Sequence, residues 1–354
     1  MSVRVEPVED GGNPQQAAAI QRLAEGHYRV FPYSEDGDGN YKFALCVRLV
    51  NDSDRPRALA LEVDWADPEY MDARRFLYLG SGDDWQFVPA TVSGTVATVT
   101  HPVPPGISYA GLSPAYSLGD YLAFAERLPK LGYRCRVAGS SNEGRDIHAY
   151  ELGEGDRPIL VTARYHPYET SSSYCVEGMM AWLAQPREVQ QKLLARHTFT
   201  FVPMPNPDGV YRGLCKRTGI GGVDLSHEGA YGGDVTTRTL LGVIDSTRPQ
   251  GFLDIHGWMY MEEDGLHYLD EGLGERFAAR LDGHPLFIGN KWKASLSDDR
   301  APGSIRARAH REYGSRPLAV SYRWPGRTVP QMRDMGGPTL EAFCAALDQG
   351  VDGV

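Results

Sequence analysis

The sequence predicts an α/β protein built on a mostly parallel mixed sheet flanked by helices, preceded by an N-terminal antiparallel β-sandwich domain. Two observations carry this. Up to about residue 115 the chain reads as short alternating segments punctuated by Asn, Asp, Gly and Pro, the pattern of a sandwich. Beyond it, nearly all-apolar runs alternate with longer helical stretches, as expected of buried strands in a sheet covered on both faces.

In the first part, residues 41–50 form a strand candidate that ends at the turn-forming Asn51-Asp52-Ser53-Asp54, and 58–63, 85–88 and 94–99 follow as further strands. Pro104-Pro105-Gly106 and the stretch 113–117 mark the exit, giving domains at 1–115 and 116–354. In the second part a helix is expected over 118–128 and a buried strand over 158–163. A helix over 171–183 follows, with Thr170 or Ser171 as its N-cap. Residues 198–203, 251–255 and 318–323 read as further strands, and 337–347 as the closing helix.

Composition narrows the class of function. A chain of 354 residues is long enough for two domains. With 42% hydrophobic and 23% charged residues it reads as soluble and globular, and no apolar run reaches the roughly 20 residues of a spanning helix. The net charge of −10, without an offsetting Lys/Arg stripe, argues against nucleic acid as a partner. The start, Met1 to Glu6, lacks a secretory pattern. Cys46, Cys135, Cys175, Cys215 and Cys344 are scattered and form no CxxC, so reduced thiols in a cytoplasmic protein are expected.

Ligands of open α/β sheets gather where strands end at their carboxyl termini. His166 and Glu169 lie just past one apolar strand, and His256 just past another. Two imidazoles and one carboxylate make the ligand set of catalytic zinc sites that leave a fourth position open. On spacing alone, an ordinary loop His and a chance HxxE remain an alternative.

The segment His166-Pro167-Tyr168-Glu169-Thr170, with Ser172-Ser173 and Glu177-Gly178 after it, resembles the first zinc motif of the M14 zinc carboxypeptidases, and most of all their cytosolic branch. Asn142-Glu143-Gly144-Arg145-Asp146-Ile147 is similar to the EGRxI stretch, and Pro205-Asn206-Pro207-Asp208-Gly209-Val210 to the NPDGV loop. Asp254-Ile255-His256-Gly257 is similar to the third-ligand DxHG, and Met335-Gly336 precedes the last helix as in that family. The resemblance implies a carboxypeptidase-like fold behind a β-sandwich, and one zinc ion per chain on His166, Glu169 and His256. It also implies hydrolysis of a peptide or small amide, and Asp224 as the carboxylate that accepts a hydrogen bond from His166.

Two departures from the family pattern qualify this. The family's DLNR segment grips a substrate carboxylate with an Asn-Arg pair, whereas this chain reads Asp224-Leu225-Ser226-His227, which cannot copy a bidentate guanidinium clamp. Arg217 or Lys216 falls near the position of another family cation, so the resemblance implies one surviving anion contact there, with a solvated basic loop as the alternative. The family's general-base glutamate is expected on the strand at 318–324, which contains no acid; Arg323 falls about where it should stand. Arginine cannot serve as a base. Either Arg323 binds an anionic group, or its side chain faces away and the register differs by one residue. Glu262 and Glu263 are alternative bases, and Glu341 is read as part of the closing helix. Three functions remain: an amide hydrolase with a specialised substrate, a carboxypeptidase with a relocated base, and a non-catalytic zinc-binding relative.

Overall fold

The computed structural model describes residues 3–13, 19–35, 42–66, 75–258, 263–287, 292–296 and 302–349, the stretch 292–296 by its backbone. Ten strands come first: β1 (Arg4–Glu6), β2 (Gln21–Ala24), β3 (His27–Val30), β4 (Cys46–Asn51), β5 (Arg57–Asp64), β6 (Phe76–Ser81), β7 (Asp84–Pro89), β8 (Thr91–Ser93), β9 (Val96–Val103) and β10 (Gly106–Gly111). They form two five-stranded sheets, in the orders β1-β4-β10-β6-β7 and β2-β3-β5-β9-β8. Pairing is antiparallel except between β3 and β5, which run parallel. In β5 the alternation Leu59, Leu61, Val63 supplies the buried face, with Ala60 and Glu62 on the other side.

The larger sheet uses β11 (Arg134–Ser140), β12 (Asp146–Leu152), β13 (Arg157–Ala163), β14 (His197–Val202), β15 (Gly251–Trp258), β16 (Asp264–Tyr268), β17 (Trp292–Leu296) and β18 (Arg316–Arg323). Its order is β11-β12-β14-β13-β15-β18-β16-β17. The four central strands, β14, β13, β15 and β18, are mutually parallel. They carry the apolar runs, and β15 is buried along nearly its whole length, because helices cover both faces. The helices are α1 (Leu118–Ala125), α2 (Thr170–Leu183), α3 (Glu188–Arg196), α4 (Pro207–Tyr211), α5 (Val235–Thr247), α6 (Glu271–Leu281), α7 (Ile305–Tyr313), α8 (Val329–Asp334) and α9 (Gly336–Asp348). Among the described residues no helix is long and apolar enough to cross a membrane.

Two sequence details acquire a packing reason. A Cβ on Gly178 would lie 1.9 Å from the Arg333 carbonyl oxygen, and one on Gly336 would lie 2.3 Å from that of Cys175. These glycines let α2 meet the α8–α9 junction backbone to backbone. One expectation is corrected. The N-cap of α2 is Glu169, without a side-chain cap bond, rather than Thr170 or Ser171. Its carboxylate is turned to the two histidines instead.

Sandwich and sheet share one continuous apolar cluster that includes Val47, Tyr78 and Leu112 on one side and Met179, Tyr322 and Trp324 on the other. Polar bonds cross the same junction. The Tyr78 hydroxyl lies 2.7 Å from the Trp324 carbonyl and 2.9 Å from that of Arg327, and the Trp324 indole donates to the Leu112 carbonyl at 3.0 Å. Replacing Tyr78 by Phe leaves those buried carbonyls without that donor and costs about 1–2 kcal/mol. Thermal or urea unfolding of Tyr78→Phe should show a lower midpoint in a single transition, since both parts share their core; two separated transitions would contradict this.

Candidate metal centre

The centre forms where β13 and β15 end. After β13 the chain turns sharply at Arg164, a non-glycine residue in the left-handed region with φ 58°. The turn is held by its own side chain. The buried Arg164 guanidinium donates to the Pro167 carbonyl at 2.7 Å, the Ser173 hydroxyl at 2.9 Å and the Tyr116 carbonyl at 3.0 Å. Burial lowers its pKa to about 10, so it keeps its charge at neutral pH. This fixes the loop that carries His166 and Glu169. Tyr168, on the same loop, stacks on the His166 ring and packs against Phe43 and Trp324.

His256 comes from the carboxyl end of β15. His166, Glu169 and His256 are all buried, and one donor atom from each lies within 4.8 Å of the others. Nδ1 of His166 stands 2.7 Å from Glu169 Oε1, and Nδ1 of His256 stands 2.9 Å from Glu169 Oε2. Each ring's other nitrogen meets a second carboxylate: His166 Nε2 lies 3.3 Å from Asp224 Oδ1, and His256 Nε2 lies 2.8 Å from Asp254 Oδ2. An imidazole that donates through Nε2 to a carboxylate presents Nδ1 for ligation, with raised basicity. The donor set, its convergence and its outer carboxylates therefore fit a divalent zinc-type ion.

The charges follow from this arrangement. Burial alone would lower the His166 pKa, but Glu169 and Asp224 override it and raise it to about 10. For His256 burial is likewise outweighed, by Asp254 and Glu169, and its pKa is raised. Burial would push Glu169 up, yet the two histidines bring it down to about 2. Asp224 and Asp254 are held below the usual carboxylate range against burial, chiefly by His166 and His256 respectively.

The remaining predicted site residues fall as follows. Arg217 pairs in a short antiparallel bridge with Asp224, and its guanidinium donates to the Gly222 carbonyl at 2.8 Å. The Lys216 ammonium lies 3.9 Å from Asp224 Oδ2. The Ser226 backbone donates to Asp224 Oδ1 at 2.9 Å, while its buried hydroxyl has no partner among the described residues. His227 sits at the exposed rim, where desolvation, countered by Asp224, lowers its pKa. Glu341 is exposed on α9. Glu262 lies outside the described residues, and Glu263 is a half-buried bend before β16.

The register of β18 is explicit. His256 pairs with Ser321 and Trp258 with Arg323, and residues paired across a ladder share a face. The side chain beside His256 on β18 is therefore a serine, and Arg323 stands two residues further along. The Arg323 guanidinium has no hydrogen-bond or ion-pair partner among the described residues, while its backbone N–H donates to Asp264 at 2.8 Å.

Sequence reasoning missed two contributors. Asp254 was legible, because spacing of two in a strand puts Asp254 and His256 on one face. Arg306 of α7 was not. Its guanidinium donates to Asp254 Oδ2, yet nothing in its local sequence links it to β15. The NPDGV loop acts as scaffold: Asn206 donates at 3.0 Å to the carbonyls of Tyr165 and Arg217, and fully buried Asp208 accepts from Ser141, Glu143 and Arg145.

The architecture is an α/β sheet with a buried His-Glu-His cluster where two neighbouring parallel strands end. Residues 122–228 match the zinc carboxypeptidase family, Peptidase M14, and the chain resembles that family. An uncharacterized protein of Zymomonas mobilis is 25% identical over 283 residues, covering 78% of this chain and 68% of that one. Cytosolic carboxypeptidase 1 of Xenopus laevis is 37% identical over 82 residues, which are 23% of this chain but 6% of that protein. Among solved structures, a metallo-carboxypeptidase from Burkholderia cenocepacia superposes with a TM-score of 0.81 at 20% identity, covering 99% of this chain and 100% of that one. The Pseudomonas aeruginosa metallo-carboxypeptidase, in complex with (2-guanidinoethylmercapto)succinic acid, gives 0.80 at 17% identity, covering 98% and 99%.

The sign of the pH response follows. A histidine raised from 6.5 to about 10 adds stability that is complete below pH 6.5 and is lost as pH rises through 10. In chelator-treated protein the melting temperature should fall as pH is raised from about 6.5 toward 10. A flat profile over that window would contradict the paired, protonated His166.

Proposed function

We propose that this chain is a zinc-dependent hydrolase of an amide or peptide bond, with one zinc ion held by His166, Glu169 and His256. Its substrate differs from that of a general carboxypeptidase. The observation that carries this is the pair of imidazoles whose Nδ1 atoms face the two oxygens of Glu169 while their Nε2 atoms are tied to Asp224 and Asp254.

A zinc ion held there would supply a Lewis acid that polarises a carbonyl and lowers the pKa of water to about 7. The chain's own residues do the rest. Asp224 and Asp254 orient the imidazoles, and Arg306 in turn holds Asp254. Lys216 and Arg217 offer positive charge on the Asp224 side, suited to one anionic group of a substrate. With Ser226 and His227 following Leu225, no guanidinium from that segment clamps a terminal carboxylate. Beside His256, β18 offers Ser321 rather than an acid. A positioned base typically contributes 10²–10⁴-fold, so its loss weighs most on stable peptide bonds. A small or modified amide is the substrate class this supports. The expected setting is the cytoplasm, with residues 1–115 as the sandwich and 116–354 as the hydrolase domain.

A second reading is favoured by one feature. Glu263 lies two residues before Gly265, which pairs with Ser321, so the turn carrying it starts beside the strand that flanks His256. A base relocated to Glu263, or to Glu262 next to it, would restore a conventional carboxypeptidase.

Zinc-loaded protein assayed on free peptides, acylamino acids and small amides decides between these. Turnover confined to blocked or small amides supports the first reading. Turnover of peptides with a free C-terminus, reduced about 10²–10⁴-fold in Glu263→Gln, supports the second. Activity unchanged in His166→Ala would remove zinc catalysis altogether, and tight zinc-dependent ligand binding without turnover would leave a binding protein. Separately, Asp254→Asn should weaken zinc affinity about 10–100-fold, read by competition with a chromophoric chelator. Unchanged affinity would mean that the carboxylate does not tune the centre.

A further inference from the structure

The cationic loop beside the centre is held from outside the α/β domain. Three successive backbone N–H groups, of Cys215, Lys216 and Arg217, point at one carboxylate, that of Glu35 in the segment between β3 and β4. Oε2 accepts from Cys215 N at 2.7 Å, and Oε1 accepts from Lys216 N and from Arg217 N, the latter at 2.7 Å. A row of backbone amides of this kind is an anion-binding concavity. Here the anion is a side chain of the sandwich, 180 residues away in sequence from the first of its partners. Neighbouring bonds close the same seam. Cys215 Sγ accepts from the backbone N–H of Phe43 at 3.3 Å and of Ala44 at 3.2 Å, and its thiol meets the Tyr33 carbonyl at 3.0 Å.

The loop so held is connected to the centre through Asp224. Arg217 bridges to Asp224 through the backbone, Lys216 reaches its Oδ2, and its Oδ1 meets His166 Nε2. We propose that Glu35 is a positioning residue: it fixes the 215–217 backbone so that Lys216 and Arg217 present their charges to an anionic group of the substrate. The sandwich thus completes the binding side of the site. This rests on the reading of Lys216 and Arg217 as anion contacts. Glu35 itself touches none of the three metal-centre residues; its bonds all go to backbone.

The test uses the full chain, zinc-loaded, as wild type, Glu35→Ala and Glu35→Gln. Amide hydrogen exchange is read over 215–217, with β13 and α2 as internal references. Binding of (2-guanidinoethylmercapto)succinic acid, a dicarboxylate, is read by calorimetry. In Glu35→Ala, exchange at 215–217 should accelerate at least tenfold while the references stay unchanged. The dicarboxylate should bind about tenfold more weakly at unaltered zinc content. Glu35→Gln, which keeps one acceptor oxygen, should fall between. Unchanged exchange at 215–217, or accelerated exchange with dicarboxylate affinity intact, would overturn the proposal. If the wild type binds no dicarboxylate, the anion-contact reading fails instead, and the exchange comparison alone then upholds or rejects the hold of Glu35 on the loop.

Discussion

Two imidazoles, each caught between carboxylates, are the constraint around which this molecule is arranged. Burying both rings beside Glu169, Asp224 and Asp254 concentrates three negative charges in a space from which water is largely excluded. Such a group is tolerable only when positive charge is present in the same place, either as protons on the rings or as a cation between them. The Lys216 ammonium and the Arg306 guanidinium supply part of the balance from either side. The outer carboxylates then give each ring a direction as well as a charge, which is why Nδ1 rather than Nε2 faces inward on both.

The parallel sheet is what brings these groups together. β13 and β15 are neighbours and parallel, so the loops leaving them emerge at the same edge although about 90 residues separate His166 from His256. Asp254 reaches its histidine along one strand, and the Thr162 hydroxyl on β13 donates to the same carboxylate at 2.8 Å. Asp224 arrives on a loop, and depends on its bridge with Arg217 and on the scaffold around Asn206. The two histidines are thus supported by unlike means: one by regular structure, the other by a hydrogen-bonded loop seated against the sandwich.

Much of this was legible in the sequence because it is local. Apolar runs announced the central strands, and the His166/Glu169 spacing placed both groups on one short loop. The strand-only stretch ends with β10 at Gly111, and the first described helix after it begins at Leu118. What was not legible is what depends on distant pairing. Arg306 approaches from a helix that no pattern ties to β15, and Glu35 acts on amides far along the chain. The position of Ser321 beside His256 needed the ladder register, since an offset of one residue would exchange the faces of β18. The N-cap of α2 misled for a related reason: Glu169 occupies the capping position but spends its oxygens on histidines, a choice that local propensity cannot foresee.

Arg164 has a further consequence. The loop bearing two of the three converging groups is held by a buried side-chain cation bonded to carbonyl and hydroxyl oxygens, and none of those bonds involves the centre itself. Its shape is therefore set before any ion arrives. Were a metal ion bound there, removing and restoring it would be an exchange of protons for metal within a standing cage, rather than a cycle of local melting and reassembly.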